Sequence, residues 1–162
     1  MGVGAYFGGN VFYIDEKNIC LGLEADDRDD CIRKICAIMV KNGYIGDDYA
    51  DAVIARENEY PTGLPTEGPL VAIPHALQGT VFKTGAGIAV LASPVGFYNI
   101  AEPEELLMVE VVFVLANFEP KKQLNDLKLL MECCSDREML EGIRNAKSES
   151  EIVELFQTYE PE

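Results

Sequence analysis

Apolar residues occur along this chain in short continuous runs and in stripes at helical spacing, and the two patterns alternate. Continuous runs of Val, Ile and Leu predict strands that are covered on both faces of a sheet. Three such runs are residues 70–73, 87–91 and 109–116. The segment 93–105 between the last two is partly acidic and is predicted to be an irregular connection.

Two shorter β-rich runs lie near the start of the chain, at Val11–Ile14 and Ile19–Leu21. The polar cluster 15–18 between them is suited to a turn. The two runs are therefore predicted to pair as a hairpin.

Five helices are predicted from apolar stripes that follow a capping residue or a proline. Their predicted starts, in order, are Asp26 or Asp27, Asp47, Pro120, Ser135 and Ser148. The first helix should run through Lys41, the second should stop before Pro61, and the third should present one face of Leu124, Leu127, Met131 and Cys134. Strands and helices thus interleave, which predicts an α/β fold: a mixed, mostly parallel sheet with helices on both faces.

The first of the buried strands ends in Pro74 and His75, and His75 is the only histidine of the chain. In open α/β sheets the carboxyl edge of the strands is where ligands bind. A histidine at that edge can act as a nucleophile or carry a proton near neutral pH. The alternative is a structural histidine whose ring is bonded to a carbonyl. Position alone leaves both interpretations open.

Length and charge indicate the number of domains and restrict the kinds of partner that the protein can bind. The 162 residues fit one domain, 1–162, with a core at about 10–158, and 48% apolar content can build a sizeable core. The formal charge of −15 opposes binding to nucleic acid or to an anionic membrane surface, and favours a basic protein partner.

The first ten residues and the longest apolar run show no targeting or membrane-spanning pattern. Met1–Asn10 has no basic segment, and Tyr6 does not fit a myristoylation motif. The longest apolar run, Val111–Ala116, is far shorter than the roughly 20 residues that span a bilayer. A cytoplasmic protein without a membrane segment is expected.

The five cysteines do not form a disulfide or zinc pattern. Their number is odd, Cys133 and Cys134 are adjacent, and Cys31 and Cys36 lack nearby partners for a zinc site. We expect reduced, mostly structural thiols, and neither a metal nor another cofactor.

His75, Arg56 and the loop that contains Thr62 are the remaining candidates for chemistry. A glycine-rich phosphate fingerprint, a G-x-S-x-G motif and a second histidine are all absent from the sequence. This set suits a phosphoryl group, because an imidazole nitrogen can accept it while a guanidinium donates to its oxygens. Arg56 could instead form a surface salt bridge with Glu59 or Asp51.

Two motifs match a known family. The residues Ala55-Arg56-Glu57, followed by Pro61-Thr62-Gly63-Leu64 and then by Val71-Ala72-Ile73-Pro74-His75, resemble the enzyme IIA domain of fructose/mannitol-type sugar phosphotransferase systems. The resemblance implies that His75 takes a phosphoryl group from the phosphocarrier protein HPr and passes it to a cysteine of enzyme IIB. It further implies that Arg56 stabilises the phosphoryl group, that Thr62 also contacts that group, and that the protein binds no sugar itself.

Gln123 departs from the family pattern, because many members carry a second histidine there. A glutamine also occurs in members that resemble galactitol-specific enzyme IIA, so a galactitol-like or other polyol system is expected. Gln123 could donate an amide N–H to a phosphate oxygen, or could face solvent. The rival function is a regulatory, nitrogen-type enzyme IIA whose phosphorylation state controls protein partners.

Overall fold

The computed structural model describes residues 4–7 and 12–160, so Val11 of the first predicted run lies outside it. The strands are β1 Gly4–Phe7, β2 Phe12–Asp15, β3 Ile19–Leu23, β4 Gly63–Leu64, β5 Val71–Ala72, β6 Gly85–Tyr98 and β7 Leu106–Ala116. The helices are α1 Arg28–Lys41, α2 Tyr49–Glu59, α3 Gln123–Cys134, α4 Arg137–Arg144 and α5 Glu149–Thr158.

One sheet contains all seven strands described. Its order is β1-β2-β6-β7-β5-β4, and β3 also pairs with β6. The long antiparallel pair β6–β7 forms the centre, with β2 and β3 parallel to β6 on one side and β5 parallel to β7 on the other. Among the strands described, three pairings are parallel and three are antiparallel. The predicted mixed sheet is confirmed, although its strands are more evenly mixed than expected.

Successive residues of the central strands point to opposite faces, and each face carries its own core. Ile88 and Phe113 lie in the core under α3, α4 and α5, where Phe113 packs edge-on against Phe156. Ala89 and Val114, their neighbours in sequence, lie in the core under α1 and α2. The prediction of helices on both faces is confirmed.

The predicted N-terminal hairpin is wrong. Both β2 and β3 pair in parallel with β6, so the chain keeps its direction between them. The polar cluster forms a single 3₁₀ turn, Glu16–Asn18, at whose start the Asp15 carboxylate accepts the backbone N–H of Lys17 at 2.9 Å. The antiparallel partner of β2 is β1.

The connection predicted at 93–105 is wrong for its first half. Strand β6 continues to Tyr98, and its pairing with β7 shifts register between Val90 and Val95. A bulge of this kind tolerates Pro94 because the extra residues leave the ladder unpaired. Only residues 99–105 connect the two strands.

Helix starts agree with the sequence at α1 and α5, whereas the start predicted at Pro120 is wrong, because Pro120–Lys122 forms a 3₁₀ turn and α3 itself begins at Gln123. Asp27 caps α1 and Ser148 caps α5, as predicted. Asp47 and Ser135 were wrong by one residue, because the adjacent Asp48 and Asp136 take the cap positions. At these two starts, two capping residues stand side by side in the sequence.

The last helix lies against the first strand. Helix α5 contacts β1. Within the residues that the structure describes, no helix has the length and apolar content needed to span a bilayer.

Candidate functional site

His75 lies just beyond β5, at the carboxyl edge of the sheet. Its backbone forms a parallel bridge with Leu115 of β7, and the Leu115 N–H donates to the Pro74 carbonyl at 3.0 Å. The side chain is 9% exposed. The strand end thus holds the imidazole close to the surface while most of the ring is covered.

The two ring nitrogens of His75 have different surroundings. Nδ1 lies 2.8 Å from the carbonyl oxygen of Ile73. A carbonyl can only accept, so in the neutral ring the proton sits on Nδ1 and Nε2 keeps its lone pair. Burial lowers the pKa of His75, the Arg56 charge lowers it further, and the Ile73 carbonyl opposes both. The site therefore favours a neutral imidazole with a free Nε2.

Arg56 lies in the last turn of α2 with its guanidinium 4.2 Å above the ring of Tyr60. Its Nε is buried and has no hydrogen-bond partner among the described residues. Neither alternative surface salt bridge, to Glu59 or to Asp51, is found within them, and Asp51 pairs with Arg33 at 2.8 Å instead. An unpaired, stacked guanidinium beside the histidine is available to an anion.

Arg56 lines a cavity of about 220 Å³ together with other residues of α2. Ala76, Leu77 and Gln78, which follow His75 in the chain, also line this cavity. Arg56 thus shares one small depression with the histidine segment, residues 75–78.

Gln123 is the first residue of α3 and is buried, not solvent-facing. Its Nε2 donates to the carbonyl of Ala76 at 3.2 Å, which places the amide beside the histidine segment. The predicted apolar face of this helix is wrong at Leu124, which is 59% exposed. Gln123 and Asp126 take the buried positions of the first turn in its place.

Thr62 is also buried, but its donors point to α2. Its backbone N–H and its hydroxyl each donate to the Glu57 carboxylate at 2.8 Å. The predicted contact between Thr62 and a phosphoryl group stays a prediction. Sequence reasoning named Glu57 only as part of the family motif and gave it no role, although it falls on the buried Tyr49-Val53 stripe of α2 at a spacing of four residues.

Tyr49 was also missed as a member of the site. Its hydroxyl donates to the Leu115 carbonyl at 2.8 Å and accepts the Ala76 N–H at 3.2 Å. One buried hydroxyl thereby joins α2, β7 and the histidine segment. The sequence shows only that Tyr49 lies on the buried side of a helix.

Comparison with known proteins decides the family. The family model for the phosphoenolpyruvate-dependent sugar phosphotransferase system, EIIA 2, matches residues 12–159. The chain belongs to this family. Enzyme IIA components of these systems are phosphotransferases, and the chain shares their fold.

Two relatives of this enzyme IIA protein are equally similar in identity. The mannitol-specific enzyme IIA component of Bacillus subtilis is 27% identical over 142 residues, which cover 87% of this chain and 94% of the relative. The galactitol-specific EIIA component of Escherichia coli K12 is 27% identical over 138 residues, which cover 85% and 91%. The chain spans only 22% of the longer mannitol-specific EIICBA components of Buchnera aphidicola and Escherichia coli.

The enzyme IIA chain of one solved complex has the same fold as this chain. Enzyme IIAMTL of Escherichia coli, in complex with phosphorylated enzyme IIBMTL, is 27% identical and has a TM-score of 0.71. The match covers 88% of this chain and 96% of that one. The neighbour is thus seen bound to its phosphorylated partner.

A second buried carboxyl lies in the enzyme IIA site region. The side-chain amide of Asn117, directly after β7, donates to the carboxylate of Asp126. Burial raises the pKa of Asp126 to about 6, while the Lys122 charge and the Asn117 hydrogen bond oppose the rise. Asp126 lies one turn after Gln123, so a group that titrates near pH 6 stands close behind the site.

The cysteines of the protein take no part in this arrangement. Burial raises the pKa of Cys31, Cys36 and Cys133 to about 12 each. Within the described residues, no group of three His, Cys, Asp or Glu side chains is arranged to hold a metal ion.

Proposed function

We propose that this protein is a phosphocarrier that accepts a phosphoryl group from phospho-HPr on Nε2 of His75 and passes it to a cysteine of enzyme IIB. The observation that supports this most strongly is the Nδ1–Ile73 hydrogen bond of 2.8 Å. It leaves Nε2 as the nitrogen with an available lone pair. Family membership supplies the class of donor and acceptor.

The transfer step balances without a metal. The Nε2 lone pair forms a bond to phosphorus while the bond between phosphorus and the donor breaks, and its electron pair stays with HPr. Nδ1–H remains bonded to Ile73, so the positive charge that develops on the ring is stabilised by the carbonyl. In the second step a thiolate of enzyme IIB attacks phosphorus and His75 leaves as neutral imidazole.

Arg56 is assigned to the phosphoryl oxygens in both steps. Its charge lies close enough to His75 to lower the pKa of the imidazole, and its Nε has no partner among the described residues. Such a donor stabilises the negative oxygens of the transferring group. Gln123 holds the Ala76 carbonyl with one amide hydrogen and keeps a second for a phosphoryl oxygen.

Exposed apolar side chains around the site suit a protein partner. Leu77, Phe118 and Leu124 are 57%, 61% and 59% exposed, and each is next or nearly next in sequence to a site residue. Large exposed apolar side chains near a reactive group are typical of docking surfaces. The formal charge of −15 adds a preference for a basic partner.

We further propose that the system transports a polyol, with a galactitol-like substrate favoured by Gln123. The mannitol and galactitol relatives are equally identical to this chain, so the residue at position 123 is the ground for the preference. The sugar itself would be bound by the transporting partner. Transfer from the phosphorylated protein to galactitol-type or mannitol-type enzyme IIB would separate the two.

The test of the phosphocarrier function is labelling by phosphoenolpyruvate, enzyme I and HPr, followed by mass spectrometry. One acid-labile phosphate on His75 is expected. The His75→Ala variant should fold and take up no label, because the imidazole supplies the nucleophile and only part of the local packing. Labelling of His75→Ala to the wild-type level would contradict the proposal.

A further inference from the structure

Glu57 carries a buried carboxylate that the proposed transfer does not use. The residue is 1% exposed, and it stands next to Arg56 in sequence but on the covered side of α2. Burial raises the pKa of Glu57, while two hydrogen bonds from Thr62 and the Arg28 charge oppose this and the Asp29 charge adds to it. Burying a carboxyl group costs folding free energy unless the group is hydrogen-bonded, so the hydrogen-bond partners of Glu57 indicate why it is buried.

Both carboxylate oxygens are occupied by one residue. Oε2 accepts the Thr62 backbone N–H and Oε1 accepts the Thr62 hydroxyl, each at 2.8 Å. Two bonds to one residue fix its position and its rotation together. Thr62 is thereby attached to α2 although it lies in a loop rich in proline and glycine.

Thr62 in turn lies opposite Ile73, whose carbonyl oxygen is hydrogen-bonded to the His75 imidazole. Strands β4 and β5 pair Gly63 with Ala72, and one step further Thr62 faces Ile73. The Ile73 N–H donates to the Thr62 carbonyl at 3.4 Å, and the Ile73 carbonyl accepts from His75 Nδ1 at 2.8 Å. A continuous line of hydrogen bonds therefore leads from Glu57 to the histidine ring.

We propose that Glu57 is a positioning residue for His75, acting through Thr62 and Ile73. The expected effect on phosphoryl transfer depends on the proposed function, in which His75 is the phosphoryl acceptor. The carboxylate holds Thr62, Thr62 holds the backbone of Ile73, and the Ile73 carbonyl keeps the proton on Nδ1. Nε2 is then the nitrogen presented to phosphorus. In this arrangement Thr62 acts on the ring and not on the phosphoryl group.

A purely structural role for Glu57 predicts a different result. If the carboxylate only anchors the loop, its loss lowers stability but leaves the ring tautomer and the transfer rate of the folded protein unchanged. The two roles are therefore separated by ¹⁵N NMR of the His75 ring in the unphosphorylated protein. That spectrum reports which nitrogen carries the proton and needs neither HPr nor enzyme I.

The experiment compares Glu57→Gln and Thr62→Val with the wild type. In Glu57→Gln an amide nitrogen replaces one acceptor oxygen, so one of the two Thr62 donors loses its partner. Thr62→Val removes the hydroxyl while keeping the backbone N–H. In both variants we expect a smaller fraction of Nδ1-protonated ring. We also expect phosphoryl acceptance slower by roughly ten- to hundredfold, by analogy with the loss of a hydrogen-bond partner behind a metal-ligating histidine.

Two control variants sharpen the comparison. Thr62→Ser keeps the hydroxyl and should restore both the tautomer and the rate. Asp51→Asn removes one negative charge from the exposed side of the same helix and should change neither.

Unchanged tautomer and rate in folded Glu57→Gln and Thr62→Val would overturn the positioning role. If Glu57→Gln does not fold, Thr62→Val decides alone, because it leaves the carboxylate in place. A wild type that takes no label would refute the phosphocarrier function while the NMR result still stands, so the two failures are distinguishable.

Discussion

In the proposed transfer, the reactivity of the His75 imidazole depends on the groups that surround each of its two nitrogens. Ile73 occupies Nδ1, whereas burial and the Arg56 charge keep the ring neutral. The sequence indicated His75 and Arg56, because strand-end position and local motif are both visible in it. It indicated no role for Glu57 or Tyr49, since their partners at Thr62, Ala76 and Leu115 are fixed only by tertiary folding.

The first prediction concerns the pH dependence of phosphoryl acceptance. Burial and the Arg56 charge lower the folded pKa of His75 below the ordinary value of 6.5, so the rate should fall with decreasing pH along a curve whose midpoint lies below 6.5. The fall is expected because protonation removes the Nε2 lone pair. The measurement is the initial rate of labelling from saturating phospho-HPr as a function of pH.

Asp126→Asn is the control for that profile, because the carboxyl of Asp126 titrates at about 6 and lies one turn from Gln123. The fall below pH 6.5 should persist in this variant if it belongs to His75. A midpoint above 6.5 in the wild type would contradict the lowered pKa of the imidazole.

The second prediction concerns the stacked guanidinium. Arg56→Lys keeps the charge but loses the planar fork and its stacking on Tyr60, so transfer should be slower, and slower again in Arg56→Ala. A loss of roughly ten- to thousandfold is expected for the alanine variant. Initial transfer rates at fixed pH provide the measurement, and Arg33→Lys, a surface arginine of α1, is the matched control. Equal rates for the three proteins would place Arg56 outside the reaction.

At the scale of elements, apolar pattern predicted where strands and helices occur better than it predicted how they begin and end. Strand β6 extends past Pro94 because its pairing with β7 resumes after a bulge, and that depends on a partner strand. Helix α3 turns Gln123 and Asp126 inward because it begins beside the site. Helical periodicity of apolar residues cannot anticipate a buried polar face.

The third prediction concerns the stability of α3. The pKa of Asp126 is about 6 in the folded protein and 3.8 ordinarily, so the folded state binds more protons between these values. By linkage, this group's contribution to stability is present below about pH 4 and is lost as pH rises through 6. Asp126→Asn stays neutral while its amide oxygen can still accept from Asn117. It should raise the free energy of unfolding at about pH 8 by roughly 1–2 kcal/mol and change it little at about pH 4.

Denaturant unfolding at the two pH values measures this difference. Glu154→Gln, an exposed carboxyl of α5, serves as the control and should have no comparable effect. A variant that is less stable than the wild type at the higher pH would show that the ionised Asp126 carboxylate stabilises the native state.

At the scale of the whole molecule, the sequence predicted the class of architecture but not the connections within the sheet. Alternation of strands and helices was enough to indicate a mixed, covered sheet. The parallel pairing of both β2 and β3 with β6 joins segments that are far apart in the chain, such as Ile19 and Ile88, and no local pattern records it. The hairpin prediction failed for that reason.

The fourth prediction uses the thiols as reporters of the whole fold. Cys31, Cys36, Cys133 and Cys134 are buried in the two cores, whereas Cys20 is partly exposed. In native protein at about pH 8, a disulfide reagent should modify Cys20 first, and the buried thiols only as the molecule opens. The Cys20→Ser variant should lose the fast phase alone. Fast modification of Cys31 or Cys133 would mean that one core opens independently.

The contact between α5 and β1 has a consequence for chain order. Helix α5 has ten residues and so is about 15 Å long, a span that a flexible linker of about ten residues covers with ease. Glu160 could therefore be joined to Gly4 and new ends opened between the exposed residues Pro103 and Glu104. Such a circular permutant should unfold cooperatively and still accept phosphate on His75. The fold would then depend on which segments contact each other, and not on the order in which they follow one another along the chain.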